Sequence, residues 1–539
     1  MNNLFTQLCE KRHLSDSYIH PRYDALEAPA KMPDMKKAVS RLKDAIKNQE
    51  KVLIYGDYDV DGITASTVME DTLALAGLPR DHISIMLPDR FVDGYGMSAR
   101  LVERAIAEKI PLVVTVDCGS RNHDIVRDLR AAHIDVIITD HHECEPTLPE
   151  AIAIVNPKRQ DFTGPASLRD LAGVGVAFKL AQALVAENLI PAGQEKWLLD
   201  LVLLGTICDS MPLTIENRIL TYYGIKVLAK TRRPGLRALM QTSGAKLCNS
   251  ESINFKLGPR LNAAGRLTTA ETALNLLRTH LGIDAVRLAT ELEKLNQTRR
   301  DAQSAALHEI RERGVAPGSV IVETGQWHEG ILGIIAGRLV DVYHKPAFVL
   351  AEVEKDIFKG SGRSFGEFNL AEALAQAGDA IIGGGGHAGA AGVRVESAHL
   401  DDFRQSLNDY YTSLHLTDQE RFLRSSPDLE FTNLGDLTID ALEELQTLEP
   451  FGPGNHEPLF CLKSADIMET RHMGKDGTHL RLDLRGADGH IVKAIAFGAP
   501  APWFSLDPAS QHSFLLRPII NEWQGTRSVE AMLVDVLPT

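Results

Sequence analysis

The sequence predicts a mixed α/β chain with a parallel-sheet domain, a second α/β domain and a C-terminal β-barrel. From residue 52 onward, near-continuous apolar runs alternate with helical patterns, which is typical of a parallel sheet covered by helices on both faces. A long helical stretch then reaches residue 313, and short alternating strands follow residue 430. These three observations define the predicted order of the chain.

Residues 1–47 are predicted to form an N-terminal extension that packs onto the first domain and contains a helix over Met35–Lys47. The first domain spans residues 48–230, and a helical connector spans residues 231–314. In the connector, Ala285, Leu288, Leu292 and Leu295 recur at helical spacing, and Gly314 is a plausible C-cap. Some thirty helical residues would span about 45 Å, which is long enough to join two domains across a groove.

A second α/β domain is expected over residues 315–416, and the charged, poorly patterned residues 417–429 suit a linker. From residue 430 to residue 539, apolar and polar residues alternate in the runs 479–485, 491–497 and 528–536. Such short alternating strands predict an antiparallel β-domain, and a small barrel of the OB type is the expected closure.

Composition and charge exclude several classes of protein but do not identify a function. The net charge of −15 excludes a generally basic protein, but nucleic-acid binding depends on where lysine and arginine cluster. The six cysteines form no C-x-x-C pair, which argues against a zinc module and a disulfide framework. No apolar run approaches the roughly 18 residues of a membrane span, so we expect a cytoplasmic protein without a membrane partner.

Three carboxylates, Asp57, Asp59 and Asp61, follow the apolar run 52–54 at alternate positions. A strand that ends in acidic residues directs them into the crevice where open α/β sheets bind ligands. Like charges this close repel strongly, so a cation is expected among them, and carboxylate oxygens favour Mg²⁺ or Mn²⁺. The alternative is an acidic turn that only caps the following helix.

Further acidic and imidazole groups each follow an apolar run that we interpret as a strand. Asp117 follows residues 112–116, Asp140, His141 and His142 follow residues 136–139, and Asp209 follows residues 203–208. Four such strand ends at one sheet edge predict a site for two ions, with one Asp bridging them, as in phosphoester hydrolysis. His142 alone is more often structural, and Asp140 is expected to orient His141 from behind the site.

At these residues the sequence resembles the DHH phosphoesterase superfamily, and within it the bacterial exonucleases specific for single strands. The resemblance covers nearly the whole chain and is carried by segments 57–62, 117–119, 140–142, 259–266, 327–331 and 383–392, together with Asp209. It implies a DHH domain, a DHH-associated substrate-binding domain over 315–416 and an OB-fold-like nucleic-acid-binding domain over 430–539. Many members carry a His where this chain has Tyr55, and because tyrosine is a poor ligand for these ions, Asp57 is expected either to replace that ligand or only to support the site.

The resemblance implies roles for individual residues. Two Mn²⁺ or Mg²⁺ ions would be held by Asp57, Asp59, Asp61, Asp117, His141 and Asp209, and catalysis would use Asp59, Asp61, Asp117, His141, His142 and Asp209. DNA or phosphate would be bound by Arg90, Arg260, Asn262, Arg266, His328, Arg363, Ser364, Gly385, Gly386 and His387. Glycines also serve as turns, and a single Arg is more often part of a surface ion pair.

In the C-terminal domain, basic and aromatic residues allow bases to stack in a positive groove, although most of the aromatic residues are expected in the core. The set is Arg471, Lys475, Arg481, Arg485, Lys493, Phe497, Trp503, Phe504 and Trp523.

The resemblance implies a 5′→3′ exonuclease that releases 5′-mononucleotides from single-stranded DNA in repair and recombination. Two alternatives stay open: a phosphoesterase for short oligonucleotides or cyclic dinucleotides, and a non-enzymatic DNA-binding descendant of the fold. Single-strand DNA-binding protein and a helicase are the natural partners, and a monomer is expected.

Overall fold

A computed structural model describes residues 4–94, 96–416, 426–474 and 477–537 of the chain. Three β-sheets, of five, five and six strands, form in the predicted order along the sequence. Most of the predicted linker, residues 417–425, lies outside the described residues. Within the part of the chain that the structure describes, every helix is too short or too polar to cross a bilayer. All six cysteines are free thiols.

The first sheet is entirely parallel and has the strand order β2-β1-β3-β4-β5. Its strands are β1 Val52–Tyr55, β2 Ile83–Met86, β3 Leu112–Val116, β4 Asp135–Thr139 and β5 Ala153–Val155. The helices before and around it are α1 Leu4–Lys11, α2 Asp16–Ile19, α3 Met35–Lys47, α4 Val60–Leu75, α5 Ala99–Ala107, α6 His123–Ala131, α7 Gly173–Ala186, α8 Leu199–Cys208 and α9 Ile215–Leu228. Strands β1 and β3 are buried along their whole length, as a sheet covered on both faces requires.

The expected strand before Asp209 is wrong, because residues 199–208 form helix α8. Nine of its ten residues are buried, and a helix buried on every side has apolar residues all round. Its sequence therefore shows no helical periodicity of apolar and polar residues. A short run of this kind does not distinguish a buried strand from a buried helix. Asp209 is the C-cap of this helix instead of a strand end.

The N-terminal extension divides between two parts of the molecule. Met35 and Leu42 of α3 lie in the core of the first domain, as expected. Leu4 and Leu8 of α1 lie in the core of the C-terminal β-domain, so the expectation is wrong for this helix. Arg12, just after α1, forms an ion pair with Asp428 at 2.7 Å.

The connecting region contains five helices: α10 Pro234–Ser243, α11 Ser250–Ser252, α12 Gly258–Leu267, α13 Glu271–Arg278 and α14 Gly282–Arg313. Helix α14 has 32 residues, in agreement with the predicted long helix. Its first half contributes Ala285 and Leu292 to the core of the first domain, and its second half contributes Ala306 and Ile310 to a core of the second domain. One rigid element is therefore packed into both domains.

The second sheet has the order β6-β7-β8-β10-β9 and is mixed, since only β6 and β7 are parallel. Its strands are β6 Ile321–Gly325, β7 Ala347–Glu354, β8 Ile357–Arg363, β9 Gly383–Gly386 and β10 Ala390–Glu396, with helices α15 Leu332–Tyr343, α16 Leu370–Ala377 and α17 Leu400–Ser413.

The third sheet closes into a barrel because β12 pairs with both β13 and β15. Its strands are β11 Leu429–Phe431, β12 Phe460–Met473, β13 His479–Arg485, β14 Ile491–Ala496, β15 His512–Trp523 and β16 Thr526–Leu537, and helix α18 Ile439–Gln446 precedes β12. The closed order β12-β13-β14-β16-β15, with β14 parallel to β16, is that of a five-stranded OB barrel. The predicted fold class is confirmed.

Candidate active site

The loop between β1 and α4 presents Asp57, Asp59 and Asp61 at the carboxyl edge of the first sheet. Asp59 is the N-cap of α4, and its side chain accepts a hydrogen bond of 3.1 Å from the Gly62 amide. Asp59 therefore also caps the helix, as the alternative interpretation predicted, and one of its carboxylate oxygens accepts the capping hydrogen bond. A Cβ at Gly62 would lie 2.5 Å from the backbone nitrogen of Asp57, so only glycine lets the loop fold back this closely.

Asp61 is fixed by a second helix. Its two oxygens accept hydrogen bonds from the Gly173 amide (2.7 Å) and the Val174 amide (2.9 Å) at the N-terminus of α7. A helix N-terminus favours a carboxylate, so these bonds hold Asp61 in one orientation. From there one oxygen lies 3.7 Å from Nε2 of His141.

Asp117 follows β3 in a left-handed backbone conformation with φ of +61°, which is strained for most residues other than glycine. Its Oδ1 atom is buried and accepts no hydrogen bond among the described residues. This oxygen lies 3.1 Å from His141 Nε2 and 3.9 Å from His142 Nδ1. Burying a carboxylate oxygen without a hydrogen-bond donor costs free energy, and a bound cation would remove that cost.

Asp140 lies behind the two histidines and is already fully engaged. It accepts hydrogen bonds from the amides of Ser120, His141 and His142 and from His142 Nδ1, at 2.7–3.1 Å. Burial alone would raise the pKa of Asp140, but the hydrogen bond and charge of His142 lower it below its usual range. Asp140 therefore orients the ring of His142, whereas it contacts His141, the residue it was expected to orient, only at the backbone amide.

The structure brings the predicted acidic and imidazole groups into three overlapping sets. In each set the ligand atoms lie within 4.8 Å of one another: Asp117, His141 and His142; Asp61, His141 and Asp209; and Asp57, Asp59 and Asp117. Although Asp209 comes from a helix and not a strand, its Oδ2 reaches to 3.6 Å from His141 Nε2.

Burial and mutual repulsion shift the protonation of this cluster. Burial first and then neighbouring carboxylates raise the pKa of Asp57 to about 8, that of Asp61 to about 7 and that of Asp209 to about 8. Burial lowers the pKa of His141 to about 3, so its imidazole is neutral and free to act as a ligand. The donor set of carboxylate oxygens and neutral imidazole fits Mn²⁺ or Mg²⁺, and such an ion would relieve the repulsion.

Three arginines converge beside this cluster from different parts of the chain. Burial and then the charges of Arg90 and Arg363 lower the pKa of Arg266 to about 10, and burial and Arg90 lower the pKa of Arg363. No carboxylate of the described residues lies within ion-pair distance of any of the three. The Arg90 guanidinium lies 5.0 Å from the ring centre of Tyr58, which stands between Asp57 and Asp59. Half-buried arginines without a carboxylate partner have the charge and the donors that an anion requires.

Sequence comparisons agree with this geometry. Family profiles described as the DHH family N-terminal domain, the DHHA1 domain and the RecJ OB domain match residues 51–206, 318–413 and 428–535. The single-stranded-DNA-specific exonuclease RecJ of Bacillus subtilis is 36% identical over 96% of this chain, which spans 65% of that protein. RecJ of Escherichia coli K12 is 33% identical, over 94% of this chain and 90% of its own length.

The chain belongs to the RecJ family. The resemblance predicted from the motifs is thereby confirmed. A crystal structure of Thermus thermophilus RecJ in complex with Mn²⁺ matches 99% of this chain and 76% of its own, with a TM-score of 0.84 and 28% identity.

Other predicted phosphate ligands of this RecJ-family chain are engaged elsewhere. Arg260 pairs with Glu293 of α14 and donates 2.7 Å to the Lys256 carbonyl. The Ser364 hydroxyl donates to the Phe368 carbonyl. Asn262 precedes Arg266 by one turn on the same face of α12. His328 caps a short turn through Nδ1, which accepts from the Gly330 amide, and its ring contacts Phe91.

The glycine-rich stretch forms an exposed edge strand. Gly385 and Gly386 belong to β9, which pairs only with β10, and all four residues of β9 are exposed. Its outer backbone groups therefore face away from the sheet, and His387 beside them is exposed. This arrangement is an edge strand with unpaired N–H and C=O groups, and not a compact phosphate-binding loop.

Arg299 of α14 is a residue that the sequence reasoning missed. Its charge contributes to lowering the pKa of Arg266, and its own pKa is lowered by burial and by Arg300. No sequence pattern marks it, because an Arg on a long polar helix resembles any other surface residue.

The barrel has less free positive charge than expected. Arg471, Arg481 and Arg485 form ion pairs with Glu469, Asp483 and Asp466. Lys475 lies outside the described residues. Trp503 and Phe504 pack against the barrel core, whereas Phe497 and Trp523 are 64% and 70% exposed. Two of the four predicted aromatic residues are therefore available for stacking.

Proposed function

We propose that this chain is a metal-dependent exonuclease that degrades single-stranded DNA from its 5′ end, releases 5′-mononucleotides and acts in DNA repair and recombination in the cytoplasm. The observation that carries the proposal is that the carboxylate and imidazole cluster lies beside Arg90, Arg266 and Arg363, which have no carboxylate partner in the described part of the chain. A metal site beside an anion site suits a phosphodiester, with the arginines on the terminal phosphate.

Two Mn²⁺ or Mg²⁺ ions would be held by Asp57, Asp59, Asp61, Asp117, His141 and Asp209, with Asp117 common to two of the sets. When bound, such ions lower the pKa of a water molecule and neutralise charge on the scissile phosphate. The hydrogen bond to Asp140 and its charge outweigh burial and raise the pKa of His142 to about 9. Asp140 thus favours the protonated form of His142 and holds its ring through Nδ1, and a protonated His142 would stabilise negative charge that develops on the phosphate.

The remaining domains would serve a polymeric substrate. Exposed Phe497 and Trp523 on the barrel would stack bases, and the free edge of β9 would follow the backbone. A phosphoesterase for dinucleotides has no need of the barrel. A non-enzymatic descendant would have lost ligand residues, and this chain keeps six. We further propose that it acts as a monomer alongside a helicase and single-strand DNA-binding protein.

The test is to incubate the purified chain with Mn²⁺ or Mg²⁺ and with single strands labelled at the 5′ or the 3′ end. We expect immediate release of a labelled mononucleotide from the 5′-labelled strand and none at early times from the 3′-labelled strand. His141→Ala and an excess of chelator are the controls, and both should abolish release. Internal cleavage, or mononucleotides from the 3′ end first, would refute the proposal.

A further inference from the structure

Arg218 joins the first domain to the segment that leads into the barrel. It belongs to α9 and is 1% exposed. Its Nη1 atom donates to the carbonyls of Leu448 (2.9 Å) and Glu449 (2.6 Å), just beyond the C-terminal end of α18. The rings of Tyr18 and Tyr222 lie 5.1 and 5.4 Å from its guanidinium carbon. Because a helix C-terminus attracts cations, the position of Arg218 just beyond this helix end is electrostatically favourable, and its hydrogen bonds tie the segment after α18 to the first domain.

The segment that Arg218 holds, residues 447–455, is called the docking segment here. It is stabilised internally, because the Asn455 side chain donates to the carbonyls of Leu448 and Pro450 at 2.8 Å. Gly452 and Asn455 also exchange backbone hydrogen bonds of 2.9 and 3.0 Å. The docking segment is therefore a preformed turn and not a loose linker. Its carbonyls at Glu449 and Pro453 accept hydrogen bonds from Arg218 and Leu213, so the docking segment serves the packing between domains.

The docking segment contacts the chain directly after Asp209. The Leu213 amide donates 2.7 Å to the Pro453 carbonyl, and the Leu213 carbonyl accepts 3.1 Å from the Tyr18 hydroxyl. A Cβ at Gly452 would lie 3.0 Å from Leu213 Cδ1, so the docking segment and the segment after Asp209 are in close contact. Leu213 is thus fixed on both of its backbone groups, four residues after the proposed ligand.

The end of α8 holds the backbone of Asp209, whose amide donates 2.9 Å to the Gly205 carbonyl, but it does not hold the carboxylate. Among the described residues, no donor makes a hydrogen bond to its carboxylate, whereas Asp61 is held by two backbone amides. Its side chain is also 29% exposed, far more than that of Asp61 or Asp117. The position of the Asp209 carboxylate therefore depends on the backbone at the end of α8 and on the segment that leads from it to Leu213.

We propose that the docking segment positions Asp209, a role called the brace below, and that Arg218 is the positioning residue that holds the docking segment in place. The barrel domain would then determine the geometry of the metal site as well as bind DNA. This inference rests on the proposed function, since it takes Asp209 as a metal ligand. It follows that disturbing the docking segment weakens metal binding and chemistry even on a substrate too short to reach the barrel.

The test compares Arg218→Met and Arg218→Lys with Arg41→Met. Arg41 is a matched control, because it is a half-buried arginine that bridges Glu50 and Asp135 near the opposite end of the first sheet. Binding of Mn²⁺ is followed by the electron paramagnetic resonance signal of the free ion, and turnover is measured on a 5′-phosphorylated thymidine dinucleotide. Thermal denaturation of each variant gives the loss of stability.

We expect Arg218→Met to weaken Mn²⁺ binding by about tenfold, the usual effect of removing a group that orients a ligand. Turnover of the dinucleotide should fall with little change in KM, and Arg218→Lys should restore part of both, since lysine keeps the charge but not the fork of donors. Arg41→Met should lose stability with unchanged Mn²⁺ affinity. Equal Mn²⁺ affinity in Arg218→Met and the wild type would overturn the brace.

Gly452→Ala provides a second route if Arg218→Met does not fold. Its added methyl group presses on Leu213 without touching Arg218, and the backbone at Gly452 needs no special conformation. We expect weaker Mn²⁺ binding in this variant as well, and unchanged binding would count against the brace. Absence of nuclease activity in the wild type would refute the proposed function alone, because the Mn²⁺ titration tests the brace independently.

Discussion

Oδ1 of Asp117 lies 3.1 Å from Nε2 of His141, on a residue whose backbone φ is +61°. The loop after β3 holds this conformation although it is unfavourable for a residue with a side chain, and the oxygen that it buries accepts no hydrogen bond among the described residues. The fold therefore brings a neutral imidazole and an unsatisfied carboxylate together, and this pair forms the centre of the proposed metal site.

Replacing Asp117 by Asn should remove nuclease activity without loss of the fold. Asn tolerates the left-handed backbone and keeps the shape of the side chain, while one repelling carboxylate is removed. We expect turnover to fall by about a thousandfold or more, since metal-ion stabilisation of the transition state is worth several kcal/mol. The melting temperature in chelator should stay the same or rise. Near-normal turnover at saturating Mn²⁺ would exclude Asp117 as a ligand, and Asp128→Asn on the exposed face of α6 is the control.

The stability of the metal-free protein should fall as pH rises. The folded-state pKa values of Asp57, Asp61 and Asp209 are raised to about 8, 7 and 8, chiefly by burial. Groups with a raised folded-state pKa stabilise the fold below their unfolded pKa, near 4, and lose that contribution as pH rises through the folded value. The free energy of unfolding in chelator should therefore decrease up to about pH 8.

Mn²⁺ should reverse this trend, because the ion binds the ionised carboxylates. Urea denaturation at intervals from pH 5.5 to 8.5, with chelator or with Mn²⁺, measures both slopes. Asp209→Asn should flatten the slope in chelator. Parallel slopes with and without the ion would contradict the assignment of these carboxylates to the metal site.

The sequence was sufficient to predict the strands of the first sheet but not helix α8. Strands such as β3 are short, rich in valine and bounded by polar residues, so their pattern has one interpretation. Helix α8 is apolar on every side, and only its packing against α4, α7 and α9 decides its type. Asp209 was still recognised, because the family resemblance does not depend on the element that carries it.

The phosphate ligands were harder to predict, because an arginine's partner is set by the tertiary fold. Arg260 and Arg266 lie in one motif, yet the first pairs with Glu293 and the second lies beside Arg90 and Arg363. The role of Arg218 could not be foreseen either, since the carbonyls that it contacts lie 230 residues further along the chain.

Replacing Arg266 or Arg363 by Ala should weaken recognition of a 5′-phosphate. Charge-assisted hydrogen bonds are worth about 1.5–3 kcal/mol, so kcat/KM for a 5′-phosphorylated strand should fall by about 10- to 100-fold. The rate on a 5′-hydroxyl strand should change much less. The measurement is the ratio of the two rates, with exposed Arg127→Ala as the control. An unchanged ratio would show that these arginines contact another part of the DNA.

Replacing Phe497 or Trp523 by Ala should weaken binding to long single strands only. Both side chains are exposed on the barrel, and stacking on one base is worth about 1–3 kcal/mol. Fluorescence anisotropy with a long oligonucleotide should report about a tenfold weaker affinity for each variant, while kcat on a dinucleotide stays at the wild-type value. Loss of dinucleotide turnover would instead mean that these residues support the fold of the barrel.

Blunt duplex ends should resist digestion, and a single-stranded 5′ tail should be required. The ring of Phe91, next to Arg90, lies 5.3 Å from the ring of His328, so the first and second domains touch beside the arginine cluster. We expect this contact to leave room for one backbone and not for B-form duplex, which is wider than its own major groove of about 12 Å. Rates on blunt, 5′-tailed and 3′-tailed duplexes of one sequence test this expectation. Equal rates on all three would contradict it. Phe91→Ala should raise the blunt-end rate relative to the tailed rate, because it opens the contact, while Phe255→Ala, an exposed aromatic residue elsewhere, should not.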